Sequence, residues 1–518
     1  MPTTEPPAQP ASQSPSRPTP QPQPHSQPRR PGALPETDIP GPAGLPLLGS
    51  MLDLRRDPLG TFLDAQRAHG DVVRLQAGPP GLRSVFHAVF APEGVQQILA
   101  SQAANFRKDH PFYEEVRQSF GNGLLTSQDA DYLRQRRLVQ PLFTRRRVDG
   151  YASAVATEAG ALADRWRAAR NGTVDLVPEM NRLALRTVSR ILFGLDAEEA
   201  VAAIHRCAPV VNAYVVQRAY LPVKLPRRWP TPGNLRARAV TDELNALCDR
   251  IIAGRRAVSR TADAPHGPDG PHRPDGRTAD TPDRRHGDDL LSLLSAAGNA
   301  EDGSLDPTEI REQVLIFLLA GHETTATSLA FTLHLLARHP DEQAAVHEEI
   351  DRVLGDRTPT AADLDRLPYL TQVLKEAMRL YPAAPIVSRR AVDTTEIGGF
   401  RIPAGADVVV APWVTHRNPA LWADPERFDP RRFAPEREAG RHRYAWFPFG
   451  GGPRACIGQH FSMLESVLAL AMLLRSYELE AVDREVPVAA GITLQATGPA
   501  RVRLRPRGGT GERGRGRP

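Results

Sequence analysis

The chain has 518 residues, of which 41% are hydrophobic and 24% charged, with a formal net charge of +5. That is enough apolar material for a large core, and too little net charge to argue for nucleic acid as a partner. Three cysteines, Cys207, Cys248 and Cys456, lack paired spacing, which excludes a disulfide framework, a zinc ribbon and a covalent haem-attachment motif and fits a reducing cytoplasm.

Residues 1–37 are rich in Pro, Gln and Ser and are expected to be disordered, since they hold too little apolar surface to fold. No signal peptide or transmembrane segment is read in the sequence. The longest apolar runs, Val314–Ala320 and Val467–Leu474, are far shorter than the ~20 residues a span needs. One folded domain is expected over 38–506. It opens on the turn-rich run Pro40–Gly49, passes through short strands at Val72–Leu75 and Val85–Phe90, and is then mostly helical. Residues 259–287, crowded with Pro, Gly, Asp, Arg and His, read as a disordered loop insertion, and 507–518 as a disordered Gly/Arg-rich tail. Helices are expected over Pro307–His339 and Asp363–Leu380, with short strands over Ala391–Val410. The fold class is therefore mainly α with small β-sheets.

Three runs carry chemistry. In the long helix, Ala320-Gly-His-Glu-Thr-Thr325 places an acid and hydroxyls after the apolar stretch Leu315–Leu319. Such groups are costly in a buried helix unless they are paired or functional. Threonines there can bond back to the preceding turn, and Gly321 would let a flat cofactor come close. A zinc-protease reading fails because the second histidine would fall at 326, which is Ala326. Glu376 and Arg379 lie three apart on one helix face among Leu370, Val373 and Leu374, which points to a buried ion pair that needs a third partner. The third run is Phe449-Gly-Gly-Gly-Pro-Arg-Ala-Cys-Ile-Gly458. A thiolate at a helix start is favoured by the helix dipole, glycines let backbone wrap a bulky group, and Arg454 offers a fork for a carboxylate. These are the parts that a cysteine-ligated haem iron requires.

The run Phe449–Gly458 resembles the cysteine-ligand loop of the cytochrome P450 superfamily, F-G-x-G-x-R-x-C-x-G, at every fixed position. Ala320–Thr325 is similar to the family's oxygen-activation motif, and the resemblance extends over about residues 38–506. It implies the cytochrome P450 fold with one haem b between the long helix and the cysteine loop. Cys456 would be the metal ligand, with Gly321, Phe449 and Gly458 beside the cofactor and Glu323 and Thr324 managing protons. Arg454, Arg389 and Arg136 would hold the haem propionates. The family's W-x-x-x-R pattern departs here to Tyr132, whose hydroxyl could reach a carboxylate. A triad would join Glu376 and Arg379 to an arginine in a P-x-R-F run; Arg427 and Arg432 compete, and Arg432 fits the family's spacing better.

Family-equivalent pocket positions, Phe112, Phe317, Ile386, Val387 and Ile492, are apolar. The chain also resembles soluble actinobacterial members that oxidise terpenes or fatty acyl chains. The implied reaction is monooxygenation with O2 of a terpenoid or polycyclic lipid of specialised metabolism, with fatty-acid hydroxylation as the alternative. Electrons from NAD(P)H are expected through separate redox partners, a ferredoxin and ferredoxin reductase. Arg134, Arg137, Arg145, Arg146 and Arg147 form either a solvated basic face or a docking patch for that acidic partner. Two other haem-thiolate readings stand beside this one: a peroxide-driven enzyme, which usually lacks the Glu323–Thr324 pair, and a non-catalytic haem sensor, which has no sensory domain here. A cytoplasmic monomer is expected.

Overall fold

The computed structural model describes residues 33–168, 172–194, 198–219, 221, 224–262, 290–297 and 305–507. The helices that position the site are α1 (Pro111–Phe120), α2 (Asp129–Val139), α3 (Leu176–Val188), α4 (Glu198–Ala219), α5 (Pro232–Ala262), α6 (Pro307–Arg338), α7 (Pro368–Leu380) and α8 (Gln459–Ser476). Strands β1 (Val72–Ala77), β2 (Ser84–Val89), β3 (Phe106–Arg107), β4 (Val387–Ala391) and β5 (Asp407–Val410) form one sheet in the order β1-β2-β5-β4-β3. Its β2–β5 pair is parallel and the others are antiparallel. A separate hairpin pairs β6 (Val488–Ala490) with β7 (Leu494–Ala496).

The start of α6 is fixed by a reciprocal cap. The Asp306 carboxylate accepts from the N–H groups of Thr308 and Glu309, the Glu309 carboxylate accepts from the Asp306 N–H, and Pro307 takes the first helical position. From Gln313 onward most side chains are buried, and the helix packs along α3. By length and hydropathy alone α6 could cross a membrane, yet most of its apolar stretch is covered by the rest of the protein, as in the core helix of a large domain. Its hydroxyls survive there by bonding to carbonyls one turn back: Thr324 to Ala320 (3.0 Å), Ser328 to Thr324 (3.0 Å) and Thr332 to Ser328 (2.6 Å). Helix α8 is apolar all round from Val467 to Leu474 and is buried accordingly.

The packed chain is longer at both ends than the sequence suggests. The Leu34 N–H donates to the Gly399 carbonyl (2.9 Å) and the Leu34 carbonyl accepts from Arg401 (2.8 Å). Glu36 pairs with Arg74 (3.4 Å) and meets the buried His87 (3.2 Å). Backbone pairing and an ion pair thus hold a segment poor in apolar side chains, and the domain starts by residue 33 rather than 38. At the other end Arg507 pairs with Asp351 (2.8 Å), so 507 belongs to the domain and not to a tail. Helix α5 continues through Ala262, past the expected start of the insertion at 259. Residues 1–32, 263–289 and 508–518 lie outside the described residues.

Candidate active site

The cysteine loop is shaped by glycines at two points. Gly450 and Gly452 take positive φ values of 69° and 63°, and a Cβ on Gly452 would lie 2.0 Å from the Leu99 carbonyl oxygen. The Cys456 N–H donates to the Phe449 carbonyl (2.9 Å), which closes the loop, and Gly458 caps α8. The Phe449 ring packs edge-on to Trp446, 6.5 Å between centres. Cys456 keeps accessible surface, yet desolvation pushes its thiol up against the opposing pull of the Gly458 N–H, Arg136 and Lys108. A side chain that is both accessible and desolvated faces an enclosed space rather than bulk water.

Four cations surround that space. Arg454 stacks 3.6 Å over the Tyr132 ring and donates to the Ser127 carbonyl (2.7 Å). Arg136 donates to the Tyr132 hydroxyl (2.7 Å) and to the Ala455 carbonyl (3.1 Å). Arg389 is buried on β4, 3.5 Å from the Tyr113 hydroxyl. Lys108 is buried too; its Nζ donates to the Leu125 carbonyl (2.7 Å) and sits 4.9 Å from the Tyr113 ring centre. Burial, then Arg454 and Arg389, push Lys108 far below the usual lysine range. Burial likewise lowers Arg454 to about 10, with Arg389 adding to it.

No carboxylate pairs with any of these four among the described residues. Buried like charges without an acid are costly, and a bound dianion relieves them. The two propionates of haem are such a dianion, so the residues present fit that group. Tyr132 behaves differently from expectation. Its hydroxyl donates to the Pro453 carbonyl (2.8 Å), so it braces the cysteine loop and has no proton left to offer a carboxylate. Lys108 carries no signal of this in the sequence, where Arg107-Lys-Asp109 looks like a solvated charge run.

The face of α6 toward this region opens at Ala320, which is exposed although its helix is largely buried, and Glu323 and Thr324 beside it are half-buried. The Glu323 carboxylate accepts one hydrogen bond among the described residues, from Gln495 Nε2 (3.1 Å). Thr325 bonds Ser462 (3.2 Å) and ties α6 to α8. His322 is buried against the Leu318 carbonyl, and burial lowers its imidazole. At Gly321 a Cβ would lie 3.3 Å from the Val188 side chain, so this glycine lets α6 approach α3 closely.

Glu376, Arg379 and Arg432 come together as expected. Arg379 holds Glu376 through two bonds, 2.7 and 2.9 Å, and both side chains are fully buried. Arg432 approaches the same carboxylate at 3.3 Å, while the Arg427 side chain is exposed and contributes only its carbonyl, 3.2 Å from Arg379.

Of the apolar positions, Phe112 packs edge-on to Tyr113 (5.4 Å), and Ile386 and Val387 are half-buried at the start of β4. Ile492 is half-buried at the tip of the β6–β7 hairpin, where its N–H donates to Asn212 Oδ1 on α4 (3.0 Å). Phe317 is the exception. It is stacked on Phe143 (5.6 Å, 14°), and Phe143 borders Gly458, so Phe317 fills the core between α6 and the cysteine loop instead of lining an open pocket.

The comparisons agree with this geometry. The family model for cytochrome P450 matches residues 39–499. Cyclooctatin synthase of Streptomyces melanosporofaciens is 40% identical, over 83% of this chain and 88% of the relative. Cyclooctat-9-en-7-ol 5-monooxygenase of the same organism is 36% identical over 87% and 92%, and pentalenene oxygenase of Streptomyces avermitilis 35% identical over 90% and 96%. The crystal structure of the cytochrome P450DA heme domain superposes with a TM-score of 0.76 at 29% identity, covering 92% of this chain and 98% of that one. A cysteine loop facing an acid-free cluster of cations, within a match that spans nearly all of the described chain, makes this protein a member of the cytochrome P450 family and a haem-dependent monooxygenase.

Proposed function

We propose that this monooxygenase oxidises an uncharged cyclic terpenoid, with Cys456 as the iron ligand and Lys108, Arg136, Arg389 and Arg454 as the counter-charge for the haem propionates. The bound haem supplies the oxidising centre that puts one oxygen atom of O2 into a C–H bond, the other leaving as water. The acid-free cation cluster around Cys456 carries the cofactor part of the reading.

Thr324 and Glu323 have the proton-handling roles. Thr324→Ala removes a hydroxyl whose one partner among the described residues is its own helix carbonyl, so haem loading and substrate affinity should hold. The fraction of electrons recovered in product should fall steeply, since a positioned proton-transfer group typically contributes about 10²–10⁴-fold. Product formed per NADPH consumed, with hydrogen peroxide assayed in parallel, measures this; full coupling would remove the role of Thr324.

The substrate class is argued from charge. Glu115 on α1 is 2% exposed and engages Arg218 (2.9 Å), Lys224 (3.1 Å) and Arg227 (2.6 Å). Arg218 on α4 and Lys224 and Arg227 after it are thereby committed to a protein carboxylate; Arg379 and Arg432 are held by Glu376 and Arg417 by Glu426, while Lys108 and Arg389 belong to the cluster around the cysteine loop. Among the described residues a fatty acid's carboxylate finds no free buried cation, whereas a hydrocarbon gains about 25 cal/mol per Å2 of apolar surface buried. The names of the three relatives point the same way. Optical titration should give clear spectral shifts with pentalenene and cyclooctat-9-en-7-ol and weaker ones with palmitate. The reverse ranking would overturn the terpenoid reading.

Electrons are assigned to an NAD(P)H-dependent reductase acting through a ferredoxin in the cytoplasm. Arg134 is paired with Glu309 and Arg145 with Asp365, and the exposed Arg137 and Arg146 are assigned as cations for an acidic partner.

A further inference from the structure

The hairpin β6–β7 is fastened to three separate walls of the site. At its tip Asn212 of α4 accepts from the Ile492 N–H, and a Cβ on Gly491 would lie 2.8 Å from the same Asn212 oxygen, so the two elements meet with no slack. The Leu494 N–H donates to the Ala383 carbonyl (2.9 Å), just before the Ile386–Val387 run. On α6, Thr327 Oγ1 donates to the Glu323 carbonyl (2.9 Å) and lies 3.4 Å from the Leu494 carbonyl. The next residue, Gln495, donates its side-chain amide to the Glu323 carboxylate (3.1 Å). No lysine, arginine or histidine pairs with that carboxylate among the described residues.

We propose that Gln495 is the positioning residue for the acid Glu323, and that the hairpin makes proton supply depend on how β6–β7 is seated against α4 and α6. This rests on the reading of Glu323 as a proton-handling group. A half-buried carboxylate without a cation is oriented by whatever donor reaches it. Here the donor is a neutral amide, strong enough to fix a rotamer and weak enough to release it when the carboxylate takes up or passes on a proton. The residue supplying it sits three positions along the chain from Ile492, the hairpin-tip position expected to line the substrate pocket. The overall reaction consumes O2, two electrons and two protons for each alcohol and water formed. When the protons arrive wrongly, the same two electrons and two protons leave as hydrogen peroxide. Orientation of Glu323 therefore decides between product and peroxide without altering how tightly haem or substrate is held.

The test compares the haem-loaded parent, Gln495→Leu, Glu323→Gln and the double variant, with pentalenene as substrate. Gln495→Leu should keep haem content and the spectral dissociation constant, lower product per NADPH at least threefold with peroxide making up the difference, and change the solvent deuterium isotope effect on product formation. A loss of packing alone would not move that isotope effect. The double variant should couple no worse than Glu323→Gln. A second readout needs no turnover: the shifts in unfolding midpoint for the two single variants should be non-additive in the double, as for groups in direct contact. If Glu323→Gln uncouples while Gln495→Leu matches the parent, or if the two effects simply multiply, the inference about Gln495 is overturned and the role of Glu323 stands. If Glu323→Gln itself couples fully, the reading of Glu323 falls and this inference falls with it.

Discussion

Replacing Cys456 by histidine should abolish the red-shifted Soret band of the reduced carbon monoxide complex, the signature of thiolate ligation, while Cys207→Ser and Cys248→Ser leave it intact. The three thiols differ in what they face. Cys207 is buried on α4 and burial, with Glu243, pushes its thiol up to about 11; Cys248 is buried on α5 and burial pushes its thiol up to about 12. Both are packed core residues, inert as ligands. Cys456 alone keeps accessible surface, with the Gly458 N–H directed at its sulfur and Arg136 and Lys108 near enough to favour the thiolate. The imidazole of the variant can bind iron but brings no negative charge, so the band should move fully to the position seen with neutral ligands. The measurement is one reduced-minus-reduced-CO difference spectrum per variant. A thiolate-type band surviving in Cys456→His would remove the central assignment.

What the sequence made legible was local chemistry. The cysteine loop, the Ala320–Thr325 run and the Glu376–Arg379 pair are each set by residues within a few positions of one another, so their types and spacing already specify what they can hold. The long helix was placed within a residue at each end because Pro307 and the Asp306 cap leave a plain start signal and the Arg338-His-Pro340 run a plain stop. Arg432 could be preferred over Arg427 by spacing, and burial supports the choice: one side chain reaches Glu376 and the other points to solvent.

What was not legible depends on distant neighbours. Lys108 sits between charged residues and reads as surface, yet the fold buries it against Tyr113 and three arginines. Gln495 is an ordinary strand residue until the hairpin folds over α6. Gly321 meets Val188 and Phe317 meets Phe143, because a helix presents several faces and sequence alone does not say which neighbour meets each one. Leu34 and Arg507 show the same limit at the chain ends, where one bridge or ion pair outweighs a composition poor in apolar residues.

Among substitutions away from the haem, Glu376→Ala should be the most damaging. Arg379 would keep the carbonyls of His416 (2.8 Å), Pro425 (2.7 Å) and Arg427 (3.2 Å) but lose its counter-ion in a fully buried position. Stripping one partner from a buried pair costs about 3–5 kcal/mol, a large part of the ~5–15 kcal/mol that holds a domain together. The damage also has a path to the cysteine loop. The Asp429 N–H donates to Glu376 (2.9 Å), and Arg379 fixes the His416 carbonyl. The His416 Nε2, kept neutral by burial and by Arg379 and Arg417 beside it, accepts from the Phe447 N–H (3.0 Å), two residues before the carbonyl that receives the Cys456 N–H. Haem content should therefore fall further than the melting temperature alone suggests. Arg432→Ala should be milder, because the two bonds from Arg379 still satisfy Glu376. Arg427→Ala should be close to neutral, since only its backbone takes part. Haem per protein and melting temperature for the three variants, made side by side, give the ranking. An Arg427→Ala protein that loses more haem than Arg432→Ala would show that the side chain assigned as third partner is the wrong one.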